Sequence, residues 1–153
     1  MAKKKSFVED PVLLEIVKNA LGTAAEEMGL AVVRGGYSTI IKEGGDASAA
    51  IFDREGRLVA QSVGTPLMHL SSLRPTLHSM IEDFPPHTMH DGDIYVSNDP
   101  YRGGIHSNDV VVCKPVFADG EIVAFAGSLI HVADVGGLSA GGLPATATEM
   151  FHE

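Results

Sequence analysis

The chain has one cysteine, no tryptophan and few basic side chains, and each scarcity removes a class of function. A lone Cys113 leaves no intramolecular disulfide to form, so the fold must hold by its core. Its place inside an apolar run suits a small buried hydrophobe better than a nucleophile. Eleven Lys and Arg stand against twenty Asp and Glu, a formal net charge of -9. Nucleic-acid binding needs clustered cations to neutralise phosphates, and the one cluster, Lys3-Lys4-Lys5, reads as a solvated tail. No apolar run approaches the roughly 18 residues of a membrane helix, and the start lacks the apolar stretch of a secretory signal. A soluble cytoplasmic protein that engages neither nucleic acid nor membrane is the expectation. Paired cysteines, a helical His-Glu-x-x-His and a Gly-x-x-x-x-Gly-Lys phosphate loop are absent as well. Ser48 and Ser107 could each enter a Ser-His-Asp arrangement, but neither lies in a nucleophile-elbow pattern.

What is present is a globular composition, 44% hydrophobic over 153 residues, enough for a single domain spanning 1–153 with a mainly aliphatic core. Asp10-Pro11 reads as a helix start, with Asp as N-cap and Pro in the first helical position. Leu13, Val17, Ala20, Ala24 and Met28 recur at helical spacing, widened by Leu14, Leu21 and Ala25, which predicts a helix to about Gly29. Gly44-Gly45 leads into Asp46, and the run to Phe52, a turn at Asp53-Arg54-Glu55-Gly56-Arg57 and a returning strand from Leu58 to Gln61 predict a hairpin that Asp46 opens. Ser71 or Ser72 is placed to cap a short helix with Pro75 in its first turn and Leu77, Met80 and Ile81 buried. The expected fold is mixed α/β: an N-terminal helix packed on a largely antiparallel sheet of hairpins, with Gly-rich loops at its site.

The chemistry gathers between Ser97 and Gly137. Val110 to Phe117 and Glu121 to Ile130 flank Ala118-Asp119-Gly120, a strong hairpin signal. Asp99, His106 and Asp109 enter its first strand, while His131 and Asp134 leave its second. A two-residue loop places Asn108 opposite His131, with His106 diagonal to it. A longer loop with a bulge shifts the pairing by one and brings Asp109 opposite His131. Either register collects imidazoles and carboxylates, a nitrogen and oxygen set suited to zinc, manganese or ferrous iron. The plain alternative is that these groups only cap the hairpin and satisfy loop amides. His69, between Met68 and Leu70, fits a site wall and a backbone-bonded core histidine equally. His78, His87 and His90 read as surface residues, and the Gly-rich run from Gly136 to Gly142 as a loop that can mould around a ligand or partner.

Several short motifs now line up. Asp46 with Ser48-Ala49 and Ile51-Phe52-Asp53, then Gly56-Arg57-Leu58-Val59-Ala60-Gln61, resembles the opening of the hydantoinase B/oxoprolinase family. His69-Leu70, Asn98-Asp99-Pro100 with Gly104 and His106, Asp109, and His131-Val132-Ala133-Asp134-Val135-Gly136-Gly137 continue the likeness in order, as does Thr148 to Glu153. The resemblance implies an ATP-dependent hydrolase of cyclic amides such as hydantoins, oxoproline or lactams. A partner A-type subunit would use ATP to activate the substrate, and this B-type chain would hold a divalent metal ion. It implies Asp46, His106, Asp109 and His131 as metal ligands, Asp134 as a carboxylate that orients a histidine, and His69 as a pocket wall. Family members are several times longer, so the chain is expected to be the N-terminal metal-binding portion of a B-type subunit, a fragment or a split piece, with the remainder as a further partner. The alpha subunits of ketone carboxylases resemble it too, which makes carboxylation the alternative reaction and a non-catalytic assembly module the alternative role.

Overall fold

A computed structural model describes residues 10–64, 66–142 and 144–152. The Lys3-Lys4-Lys5 tail lies outside them. Helix α1 runs Pro11–Gly35. The Asp10 carboxylate caps it by accepting the Val12 and Leu13 N–H groups at 3.0 and 3.2 Å. The helix continues past Gly29, the end expected from periodicity: Gly29 is itself a buried helical residue, and Gly36 supplies the C-cap. The short helix α2, Thr39–Lys42, is capped by Ser38. Gly45, at φ +65, then turns the chain into strand β1, Ala47–Asp53. Strand β2 is Leu58–Gln61, and helix α3 is Leu70–Asp83. Strands β3, Tyr95–Ser97, β4, Asp109–Ala118, and β5, Glu121–His131, complete one antiparallel sheet in the order β2-β1-β5-β4-β3.

The expected mixed fold is therefore observed, an N-terminal helix on an antiparallel sheet. Helix α1 packs on β1 and β2, where Ala25 of the helix and Ala47 and Ala49 of the strand are fully buried. The small side chains let helix and strand approach closely. The leading turns of α1 extend the stripe without covering it: Val12, Leu13, Leu14 and Ile16 are exposed. Among the described residues, no helix is long and apolar enough to cross a membrane.

Helix α3 presses Leu73, Leu77 and Met80 onto Ala50 and Phe52 of β1, Phe125 and Leu129 of β5, and Val111 and Cys113 of β4. Side chains two apart on a strand share a face, so this core occupies one face of the three central strands. Gly127 makes room for the helix, since a Cβ there would stand 3.3 Å from the Phe52 ring, 3.5 Å from Leu73 and 3.6 Å from the Cys113 sulfur. Helix α3 begins at Leu70, out of a turn over Leu67–His69, rather than at Ser71 or Ser72. The Ser71 hydroxyl donates to the Met68 carbonyl at 2.5 Å instead of capping, and Pro75 falls inside the helix, beyond its first turn. That early start sets His69 at the helix N-terminus, on the sheet face that carries the core.

Candidate metal centre

The β4–β5 hairpin decides which groups meet. Its turn is Asp119-Gly120, with φ of 51° and 82°, the doubly positive pair that fits the twist of two-residue hairpins. Next to the turn, Ala118 faces Glu121 and Phe117 faces Ile122. The register then slips by one, so Val116 faces Ala124 and Val123 is the extra residue of a bulge. From there pairing is regular to Asp109 opposite His131. The tight loop and the shifted register, which the sequence presents as alternatives, thus occur together. On the other side of β5, Ala47 faces Ile130, and the His131 N–H donates to the Asp46 carbonyl at 3.2 Å. Asp46, His131 and Asp109 therefore form one row across three strands, on the face where the core packs.

His106 reaches this row from a loop built to hold it. Asp99 accepts the Tyr101 N–H at 2.8 Å through its carboxylate and the Arg102 and Gly104 N–H groups through its carbonyl, at 3.1 and 3.2 Å. Asn98 Nδ2 donates to the Ser107 carbonyl at 3.0 Å. Arg102 donates to the Ser79 carbonyl at 3.1 Å and to Asp83 Oδ1 at 2.9 Å, tying the loop to α3. Gly103, at φ +116, lies so close to α3 that a Cβ would come within 2.6 Å of the Thr76 hydroxyl. His106 and Asp109 finally bond each other: the Asp109 N–H donates to the His106 carbonyl at 3.1 Å, and the His106 backbone N–H donates to the Asp109 carboxylate Oδ2 at 3.2 Å.

Donor atoms of His106, Asp109 and His131 lie within 4.8 Å of one another. Asp109 is fully buried and offers one oxygen to each ring: Oδ1 is 2.9 Å from His131 Nδ1, and Oδ2 is 3.2 Å from His106 Nδ1. The rings meet edge to face, with centroids 5.4 Å apart. Donors about 2.1 Å from one ion, and roughly 90–110° apart around it, stand about 3.0–3.4 Å from each other. The two nitrogen–carboxylate separations, 2.9 and 3.2 Å, are close to that edge length. Although near Asp109, His106 Nδ1 is a buried nitrogen without a hydrogen-bond partner among the described residues, which leaves it free to ligate an ion.

His131 sharpens this. Its Nε2 is 3.0 Å from the Gly141 carbonyl and its Nδ1 faces the Asp109 carboxylate. Both partners are acceptors, whereas a neutral imidazole carries one proton. His131 therefore holds an extra proton, or one of its nitrogens faces a cation. Asp46 and His69 form a second pair beside the row, His69 Nε2 lying 3.2 Å from Asp46 Oδ1. Burial pushes the His69 pKa below its usual value; the Asp46 and Asp109 carboxylates oppose that shift, and His131 and His106 reinforce it. With neutral imidazoles, Asp46 and Asp109 give the site a formal charge of -2, which a divalent cation balances.

Asp134, at the exit of β5, is exposed, and its Oδ1 accepts the Gly136 N–H at 2.7 Å. The carboxylate on the histidine rings is that of Asp109. Two site features escaped sequence reasoning, the Gly141 carbonyl on His131 and the pairing of Asp46 with His69. The Gly141-Gly142 dipeptide was the visible sign of the first; nothing in the sequence ties His69 to Asp46. Cys113 is buried and its thiol is pushed up to about 12 by desolvation, so it is no nucleophile.

Known proteins resemble this chain in sequence and in fold. A model of a family described as hydantoinase B/oxoprolinase matches residues 10–153. A 5-oxoprolinase from Dictyostelium discoideum is 35% identical over 144 residues, 94% of this chain and 11% of its own. The acetophenone carboxylase delta subunit of Aromatoleum aromaticum is 35% identical over 109 residues, 71% of this chain and 16% of its own. The crystal structure of the ATP-dependent caprolactamase from Pseudomonas jessenii superposes with a TM-score of 0.68 at 33% identity, covering 84% of this chain and 22% of that one. The chain thus spans a small part of the length of the relatives it matches.

Proposed function

The chain belongs to the hydantoinase B/oxoprolinase family, and from that premise we propose that it supplies the metal centre of an ATP-dependent hydrolase acting on cyclic amides. His131 carries the reading: its imidazole is held between two acceptors, a geometry that a cation at Nδ1 satisfies without a second proton. His106 Nδ1, the Asp109 carboxylate and His131 Nδ1 would hold a divalent zinc, manganese or iron ion, with Asp46 joining from the same row. Such an ion polarises a carbonyl-derived oxygen or supplies a hydroxide near neutral pH.

The chain's own groups do the rest. Asp109 is buried and fixes both rings, so the donors do not reorganise when a ligand enters. The partly exposed Asp46 and His106 mark the side from which substrate would arrive. His69 closes the other side as a neutral imidazole against Asp46. An A-type subunit would bind ATP and activate the amide, and the rest of the B-type subunit would complete the substrate walls; this chain would be its metal-binding portion. Carboxylation of a ketone is the second reading, favoured by the likeness to a carboxylase subunit.

The test combines the metal-loaded chain, together with the rest of its B-type subunit, with an A-type partner and ATP. It follows ring opening of 5-oxoproline, hydantoin and a lactam, and separately bicarbonate-dependent carboxylation of a ketone. The account expects ring opening that chelation abolishes and that His106→Ala loses. Carboxylation alone would replace the first reaction with the second. A loaded complex inactive in both, in which His106→Ala prevents subunit association, would make the chain an assembly module.

A further inference from the structure

We propose that the Gly141-Gly142 turn sets the tautomer of His131, fixing the proton on Nε2 and presenting Nδ1 to the ion; the inference rests on the metal-centre reading. Both ring nitrogens face acceptors; with the ion at Nδ1 beside the Asp109 carboxylate, the 3.0 Å contact between His131 Nε2 and the Gly141 oxygen, which only accepts, places the ring proton on Nε2. A metal-bound imidazole commonly donates its other N–H to a carbonyl or carboxylate, and that partner fixes the ring. Here the partner is backbone, and the backbone is held tightly. The Gly141 N–H donates to the Ala133 carbonyl at 2.6 Å, and the Gly142 N–H to the Ser139 carbonyl at 3.3 Å.

The turn also leans on a wall. Gly141 and Gly142 take φ of +94 and +67, a left-handed pair that side chains rarely adopt. A Cβ on Gly142 would overlap the Asn108 amide, 2.6 Å from its Cγ. Asn108 has little room to yield: it is fully buried, and its Nδ2 donates to the Val132 carbonyl at 2.9 Å. Asn108 thus braces both the end of β5 and the turn that covers His131. An alanine at 142 must displace the turn, and with it the carbonyl at 141.

The experiment uses the chain loaded with zinc alone. Zinc affinity is measured by chelator competition, and the His131 ring nitrogens are read by ¹⁵N-labelled imidazole spectra. In wild type the proton is expected on Nε2 and the metal on Nδ1. Gly142→Ala should weaken zinc binding by roughly 10–100-fold, the range for loss of an orienting partner, and speed exchange of the Nε2 proton. Gly120→Ala, also at positive φ but in the distant hairpin turn with nothing near its Cβ, controls for backbone strain and should bind zinc as wild type does. Asn108→Ala removes the wall without adding an atom; it keeps the test open should Gly142→Ala not fold, and should weaken zinc in the same direction. Zinc on Nε2 in wild type, or wild-type affinity and exchange in a folded Gly142→Ala, overturns the proposal while leaving the metal centre intact. A wild-type chain that takes up none of zinc, manganese and iron overturns the metal reading and this inference together.

Discussion

Asp109→Asn separates the metal account from a purely structural one. The substitution keeps the shape of the side chain and removes the charge that two rings share. Its amide oxygen can still accept the His106 N–H, and its NH₂ can donate to His131 Nδ1, so the metal-free fold loses little. Removing a fully buried charge offsets part of what is lost. The metal-bound fold is another matter, because the formal site charge falls from -2 to -1 and a ligand oxygen is gone. An ion present at a hundred times its Kd stabilises the native state by about 2.7 kcal/mol. At about 2–4 °C per kcal/mol for a domain of this size, wild-type Tm should rise by roughly 5–11 °C on adding the ion. If the variant binds at least about a hundredfold more weakly, the same ion adds about 0.4 kcal/mol, a shift of roughly 2 °C or less. The assay is thermal unfolding with and without zinc or manganese. Equal metal-dependent shifts in wild type and variant would refute the assignment of Asp109. A metal-free variant destabilised by several kcal/mol would instead identify the Asp109–histidine cluster as a structural ion pair.

Further outcomes are expected elsewhere in the fold. Gly127→Val adds bulk where a Cβ already touches Phe52, Leu73 and the Cys113 sulfur, and should cost about 1–3 kcal/mol in denaturant unfolding; an unchanged midpoint would contradict the packing of α3 on the sheet. His69 has a folded-state pKa below its usual 6.5, so the unfolded chain binds more protons there. Its share of stability is complete above that value and is lost as pH falls from 6.5 toward the folded pKa, a decline that His69→Gln should flatten in unfolding measured from pH 8 to 5. Cys113, with its thiol pushed up to about 12, should resist alkylation at pH 8 in the native state and react once unfolded; rapid native labelling would contradict its burial.

The sequence exposes some of this structure because local rules decide it. Asp10-Pro11 caps and starts α1 by its own chemistry, and Asp119-Gly120 turns the hairpin by its own dihedrals. The row of Asp46, His131 and Asp109 is less local. It depends on the slip at Val123, and nothing in Val116, Phe117 or Val123 distinguishes a bulge from a regular pair. The length of α1 escapes periodicity because Gly29, which reads as a helix stop, is a buried residue inside the helix. The start of α3 escapes cap reasoning because Ser71 bonds back to Met68 and the helix grows out of a preceding turn. Likewise the Gly141 carbonyl carries no side-chain signature, only the conformational freedom of two adjacent glycines.

The most direct test of the metal centre is elemental analysis of the purified chain beside a His106→Ala/His131→Ala variant. The account predicts near-stoichiometric zinc, manganese or iron in wild type and none in a variant whose circular dichroism shows the same fold. A well-folded wild type without metal, even after incubation with all three ions, would contradict it.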